Sequence, residues 1–139
     1  MSVFDVGKAE IWINDMRAEL GTEGEEPAYL ALRAGLHALR DRLTVQEAAH
    51  LAAQLPLIIR GVFYEGWHPG GKRGALRSRE SFLEAIEHEM PRGRLGPEKV
   101  ARALFHVMEK HVTSGQIQNV RHSLPHQIAE LWRPPVPLP

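Results

Sequence analysis

Residues Arg33 to Phe63, RAGLHALRDRLTVQEAAHLAAQLPLIIRGVF, realign without a gap on Arg102 to Trp132, RALFHVMEKHVTSGQIQNVRHSLPHQIAELW. At a constant offset of 69 residues, Arg33, Ala34, His37, Thr44, Leu55, Pro56 and Ile59 return as Arg102, Ala103, His106, Thr113, Leu124, Pro125 and Ile128. Apolar positions answer apolar ones between these identities: Leu36 to Phe105, Leu39 to Met108, Leu43 to Val112, Leu51 to Val120 and Phe63 to Trp132. Such a repeat dictates where packing occurs, and says far more about architecture than about activity.

Outward from this stretch the spacing is helical, and nothing reads as a strand. Ala9, Trp12/Ile13, Met16 and Leu20 form a first apolar stripe, and Tyr29, Leu32, Leu36, Leu39 and Leu43 a second. Thr44 with Glu47 makes a capping box for a third helix, and Thr113 with Gln116 repeats it in the second half. Ala48, Leu51, Leu55, Ile59 and Val62 keep helical phase through Pro56, where a lost hydrogen bond and a clash with the preceding turn imply a kink or a break. Leu124-Pro125 carries the same interruption, while Phe82, Ile86 and Met90 start the second half and Pro97 opens its next helix. The expected fold is an all-α helical bundle of two tandem repeats of about three helices, the last of each kinked or broken at a Leu-Pro step. One domain is expected: residues 1–66 and 79–132 as halves, 67–78 as a Gly/Pro/basic linker, 133–139 as a Pro-rich tail. The halves differ at Gly35, which faces Leu104 of the other copy in the alignment. A glycine inside a helix costs about 1 kcal/mol relative to alanine, so either close approach of a neighbouring helix against Ala31, Ala34, Gly35 and Ala38 offsets that cost or the fold simply tolerates it.

At 139 residues the chain can bury a core without a metal or disulfide staple. It has no cysteine, which removes disulfides, thiolate zinc sites and a cysteine nucleophile and fits a reducing compartment. The opening MSVFDVGKAEIWIND lacks a signal-peptide pattern, and no apolar run approaches the roughly 20 residues of a membrane span. A soluble cytoplasmic protein away from membranes is therefore expected. Lys plus Arg and Asp plus Glu both total 17, so no global field draws nucleic acid. Charge is nonetheless uneven, with acids concentrated before residue 30 and Lys72, Arg73, Arg77 and Arg79 in the linker region.

Eight histidines raise the question of a metal. His37 and His106 are repeat-equivalent, yet Asp41 one turn on is replaced by Lys110, which suits structural rather than ligating roles. His122 and His126 stand at the i, i+4 spacing of a ligand pair, but Pro125 lies between them. Glu47-Ala48-Ala49-His50 matches one arm of a di-iron site, whereas the other repeat offers Gln116 and Asn119. Nucleophile-elbow, phosphate-loop, zincin and EF-hand patterns are absent. Hence no catalytic residue, cofactor or metal is assigned. The segment Arg60 to His68, rich in aromatics, and the basic residues after it supply candidate partner contacts: Tyr64, Trp67, His68, Lys72, Arg73 and Arg77. The alternative is that Phe63 and Tyr64 finish the first core while Trp67 plugs the seam between halves.

Leu51-Ala52-Ala53-Gln54-Leu55-Pro56, Ile59-Arg60-Gly61 and Tyr64-Glu65-Gly66-Trp67, preceded by Leu36 to Leu43 and followed by Phe82-Leu83, resemble a bacterial family catalogued as domain of unknown function 2267. The resemblance spans roughly residues 8–132. It implies a small all-helical protein with the duplicated plan above, and implies no reaction, cofactor or catalytic residue. The leading functional expectation is a non-enzymatic module that binds another protein or itself. The alternatives are a nucleic-acid-binding accessory protein using the basic linker, and a small-molecule or metal-binding protein using histidines.

Overall fold

The computed structural model describes residues 6–69, 77–92 and 95–132. Within them the chain forms helices α1 (Val6–Leu20), α2 (Glu25–Arg42), α3 (Val45–Ala52), α4 (Leu57–Tyr64), α5 (Arg79–Glu89), α6 (Pro97–His111), α7 (Ser114–Ser123) and α8 (His126–Ala129), closed by a 3-10 turn over Glu130–Trp132. No strand occurs among the described residues. The bundle is all-α.

Two helices lie at the centre. Almost every side chain of α2 from Ala28 to Leu39 is buried, and α6 is buried from Val100 through Met108 apart from Arg102 and His106. Around them, α1 packs on α2 and α6, and α5 packs on α6 and α2. The short helices follow the same exchange: α4 rests on α2 and α1, while α8 and the closing turn rest on α5 and α6. Each half therefore buries its apolar side partly against the other. Trp12, Met16 and Leu20 of α1 do for one flank what Phe82, Ile86 and Met90 of α5 do for the other. These two triplets stand 70 residues apart, one more than the offset of the remaining helices.

The interior glycine has its explanation at the centre. A β-carbon placed on Gly35 would lie 2.8 Å from Leu104 Cδ2 and 3.5 Å from Leu104 Cβ. α2 and α6 approach at this point, so the missing side chain of one position accommodates the large side chain of its own counterpart.

Both Leu-Pro steps divide the helix rather than bend it, the second of the two outcomes expected there. Pro56 (φ −56°, ψ 150°) and Pro125 (φ −54°, ψ 146°) sit in extended conformation as the first residues before α4 and α8. A proline has no N–H to lose there, and the clash with the preceding turn disappears once the chain leaves the helix. The carbonyls left over at the end of α3 are taken up by Arg60, whose Nε donates to Ala52 O at 2.8 Å and whose Nη2 donates to Ala53 O and Leu55 O. Residue 129, the counterpart of Arg60, is alanine. α8 is four residues long before it tightens into a 3-10 turn.

The capping box at Thr44 forms as expected: Thr44 Oγ1 accepts from Glu47 N, and Thr44 N donates to Glu47 Oε1 at 2.8 Å. The second box is different. Thr113 Oγ1 accepts from Gln116 N, but Thr113 N donates to Gln54 Oε1 of the other half at 3.0 Å. Ser123, the counterpart of Gln54, reaches back and donates to Glu47. Each half thus completes the helix start of the other, which local spacing alone does not reveal.

The central contact can be tested directly. Gly35→Ala should destabilise the protein by about 1–3 kcal/mol through overpacking, despite a helix-propensity gain of about 1 kcal/mol. In a Leu104→Ala background the same change should be neutral or stabilising. Denaturant unfolding of the four proteins measures this reversal of sign, and equal effects in the two backgrounds would count against the close approach.

Candidate functional site

Four of the six residues expected to meet a partner lie in the described structure; Lys72 and Arg73 lie outside the described residues. Tyr64 and Trp67 face each other at 5.3 Å and pack, partly buried, against the core. Gly66 (φ 70°) turns the chain between them, a left-handed conformation in which glycine is the least strained residue. His68 and Arg77 are exposed. The aromatic pair is therefore packed at the end of α4, its rings on each other and on the core.

A different face carries exposed apolar side chains. Ile11 on α1 is 51% exposed, and Leu57 and Ile58 at the start of α4 are 46% and 40% exposed. Ile11 borders a cleft of about 520 Å³ whose lining includes Trp12, Leu55 and Pro56, with Lys8 and His111 among its polar groups. His111 stacks on Trp12 at 5.1 Å, and its Nε2 lies 2.6 Å from Asp15 Oδ2. Leu57 and Ile58 follow Pro56 directly on α4, which packs on α1. Their counterparts in the second half are His126 and Gln127, and that of Ile11, on the α5 offset, is Ser81. The fold thus tolerates polar groups at these places, and the first half nevertheless exposes isoleucine and leucine.

The other notable constellation is charged and largely buried. Three residues of α2, Arg33, His37 and Arg40, stand along one side and grip the ends of α4 and α5. Arg40 Nη1 donates to the carbonyls of Phe63 (3.0 Å) and Glu65 (2.8 Å), and its Nε donates to Asp41. Arg33 Nε donates to Glu65 Oε1 at 2.9 Å, and its Nη1 donates to Glu89 Oε1 at 2.6 Å. His37, 3% exposed, places Nε2 2.7 Å from Val62 O and Nδ1 2.9 and 3.0 Å from the Glu89 carboxylate oxygens. Cations at the last carbonyls of a helix satisfy acceptors that have no partner within it and oppose its dipole. The counterpart of the His37–Glu89 pair is His106–Glu19 in the other half, where the histidine is 54% exposed.

The remaining histidines are dispersed. His122 ends α7 and His126 begins α8, so the proline between them places them on separate helices. His126 pairs with Glu130. His50 and His122 line a polar cleft of about 550 Å³ between α3 and α7, where Glu47 is held by Thr44 and Ser123. Among the described residues no group of three or more His, Asp or Glu side chains is placed to hold a metal ion. No described helix is long and apolar enough to cross a membrane.

Sequence reasoning missed both constellations. Leu57 and Ile58 sit in phase with a core stripe and look like more of it. Arg33, His37 and Arg40, at i, i+4 and i+7, were legible as a polar stripe on α2. Their acceptors Glu65 and Glu89 were not, because the α1–α5 correspondence slips by one residue and hides the pairing of Glu19 with Glu89.

Two carboxyls are electrostatically tuned. The hydrogen bond from Arg33, and then its charge, hold Glu65 below the usual carboxylate range. Glu98 is held low by its hydrogen bond from Arg79 and, to a smaller extent, by Arg102, against a desolvation that acts the other way. A carboxyl held low in the fold stabilises fully above its ordinary value of about 4.3, and that stabilisation is lost as pH falls through the lower folded value. Glu98→Gln should therefore lose less stability than the wild type between about pH 5 and pH 2, by the roughly 0.2–1 kcal/mol of a surface pair. Unfolding midpoints across that range check it.

Comparison with known proteins returns a family rather than an activity. No curated protein matches the chain. The family model described as "uncharacterized conserved protein (DUF2267)" matches residues 9–131, a stretch that takes in nearly all of α1 and runs into the closing turn. The chain belongs to the DUF2267 family.

Proposed function

We propose that this chain is a non-enzymatic protein-interaction module, and that the α1–α4 face receives an amphipathic helix of a partner protein. The exposure of Ile11, Leu57 and Ile58 beside the Trp12–Pro56 cleft carries the reading, because the corresponding places of the other half hold Ser81, His126 and Gln127. Fully burying a side chain of this kind contributes about 1.5–3 kcal/mol, and about half of that is left to gain at positions already half covered, so the three together suit a small hot spot. The cytoplasmic setting expected from the sequence belongs to the same proposal. Self-association would use the same face, with a second copy as the partner. The basic linker reading draws no support from Tyr64 and Trp67, whose rings pack on each other and on the core.

Photo-crosslinking residues placed at Ile11, Leu57, Ser81 and Gln127 in separate full-length proteins test this inside the native cell. Discrete protein adducts should form from the first two positions and not from the last two. They should disappear when Ile58→Lys is added, a change that leaves a folded protein because Ile58 is already solvated. An adduct of twice the chain mass, together with concentration-dependent sedimentation, would identify a second copy as the occupant. Equal adducts from both faces, or none from either, would overturn the assignment.

A further inference from the structure

His37 is surrounded by acceptors on both sides of its ring. Val62 O, 2.7 Å from Nε2, is a carbonyl and can only accept. Both oxygens of Glu89 lie within 3.0 Å of Nδ1. Glu89 Oε1 also accepts from Arg33 Nη1, a group that can only donate. A neutral imidazole has one N–H and would leave one of these contacts without a proton. An imidazolium fills both.

The charges around the ring point the same way. Those facing it are Arg33, Arg40 and Asp41 from α2, Glu65 at the end of α4 and Glu89 on α5. Two guanidiniums stand against three carboxylates, a deficit of one positive charge that a protonated His37 makes good. Glu65 responds to a positive His37 as one of the smaller influences on its own acidity. Val62 O lies in the last turn of α4, where a cation also meets the negative end of the helix.

We propose that His37 is held as an imidazolium in the folded protein and acts as a proton-operated fastener, joining the last turn of α4 to α2 and to the end of α5. Loss of the proton removes a donor from either Val62 O or Glu89 and loosens the Val62–Trp67 segment that leads out of the first half. His106, with its Glu19 partner, is the internal control: a histidine–glutamate pair at the corresponding place but largely in solvent. The proposal stands apart from the docking reading and does not depend on any partner.

Nitrogen-15 NMR of the full-length protein reads the ring state directly. At pH 7.5 both ring nitrogens of His37 should show protonated shifts. The sign in stability follows from the proton count. A ring that donates from both nitrogens holds one more proton than a neutral ring in the unfolded chain, so stability falls with rising pH wherever the two differ. The folding equilibrium constant of the wild type should therefore fall with rising pH by up to tenfold per pH unit relative to His37→Gln. Amide exchange across Phe63–Trp67 should speed up over the same range beyond its intrinsic pH dependence. Glu89→Gln should give a neutral His37 ring at pH 7.5, a readout that survives if His37→Gln fails to fold. A wild-type His37 with one bare ring nitrogen at pH 7.5 would overturn the proposal, as would parallel stability curves for wild type and His37→Gln.

Discussion

The close approach of α2 and α6 at Gly35 and Leu104 is the constraint on which the bundle is arranged. Two helices that meet with a glycine on one side can bury both their backbones, and four others are then needed to cover what remains. α1 and α5 each span the groove between the central pair, which is why each touches its own half and the other. The burial of α2 on nearly every side follows from this placement rather than from an unusually apolar sequence, since its polar residues Arg33, His37 and Arg40 are turned onto the ends of neighbouring helices.

Short helices have few internal hydrogen bonds to hold them, and α3, α4, α7 and α8 are all ten residues or fewer. Their ends depend on side chains brought from elsewhere. Arg60 closes α3, Arg40 and His37 close α4, Gln54 completes the start of α7, and Ser123 engages the cap of α3. Many polar groups of this protein are occupied with such terminations, and the large apolar residues left facing outward among the described residues are Val6, Ile11, Val45, Leu57 and Ile58.

Much of the architecture was legible because helical periodicity and cap chemistry are local. Thr44 and Glu47 announce a helix start by spacing alone, and Ala9, Trp12, Met16 and Leu20 announce a buried stripe. The Leu-Pro steps were legible as interruptions, but whether a proline kinks a helix or ends it depends on what satisfies the freed carbonyls. That was Arg60 in one half, and it lies beyond the break. The second helix start misled because Gln116 has the right spacing, while the competing acceptor, Gln54, is distant in sequence and adjacent only after folding. The candidate site was less legible still. Tyr64 and Trp67 carry the composition of a contact surface but are drawn inward by each other, whereas Leu57 and Ile58 carry the composition of a core and stay outside.

The asymmetry at the centre fixes which halves can be combined. Two first halves brought together would set glycine against glycine and leave a void between their long helices. Two second halves would set leucine against leucine in a gap already full. The fit of Leu104 into the space left at Gly35 is thus particular to the unlike pair, matched like a key and its lock at this one crossing.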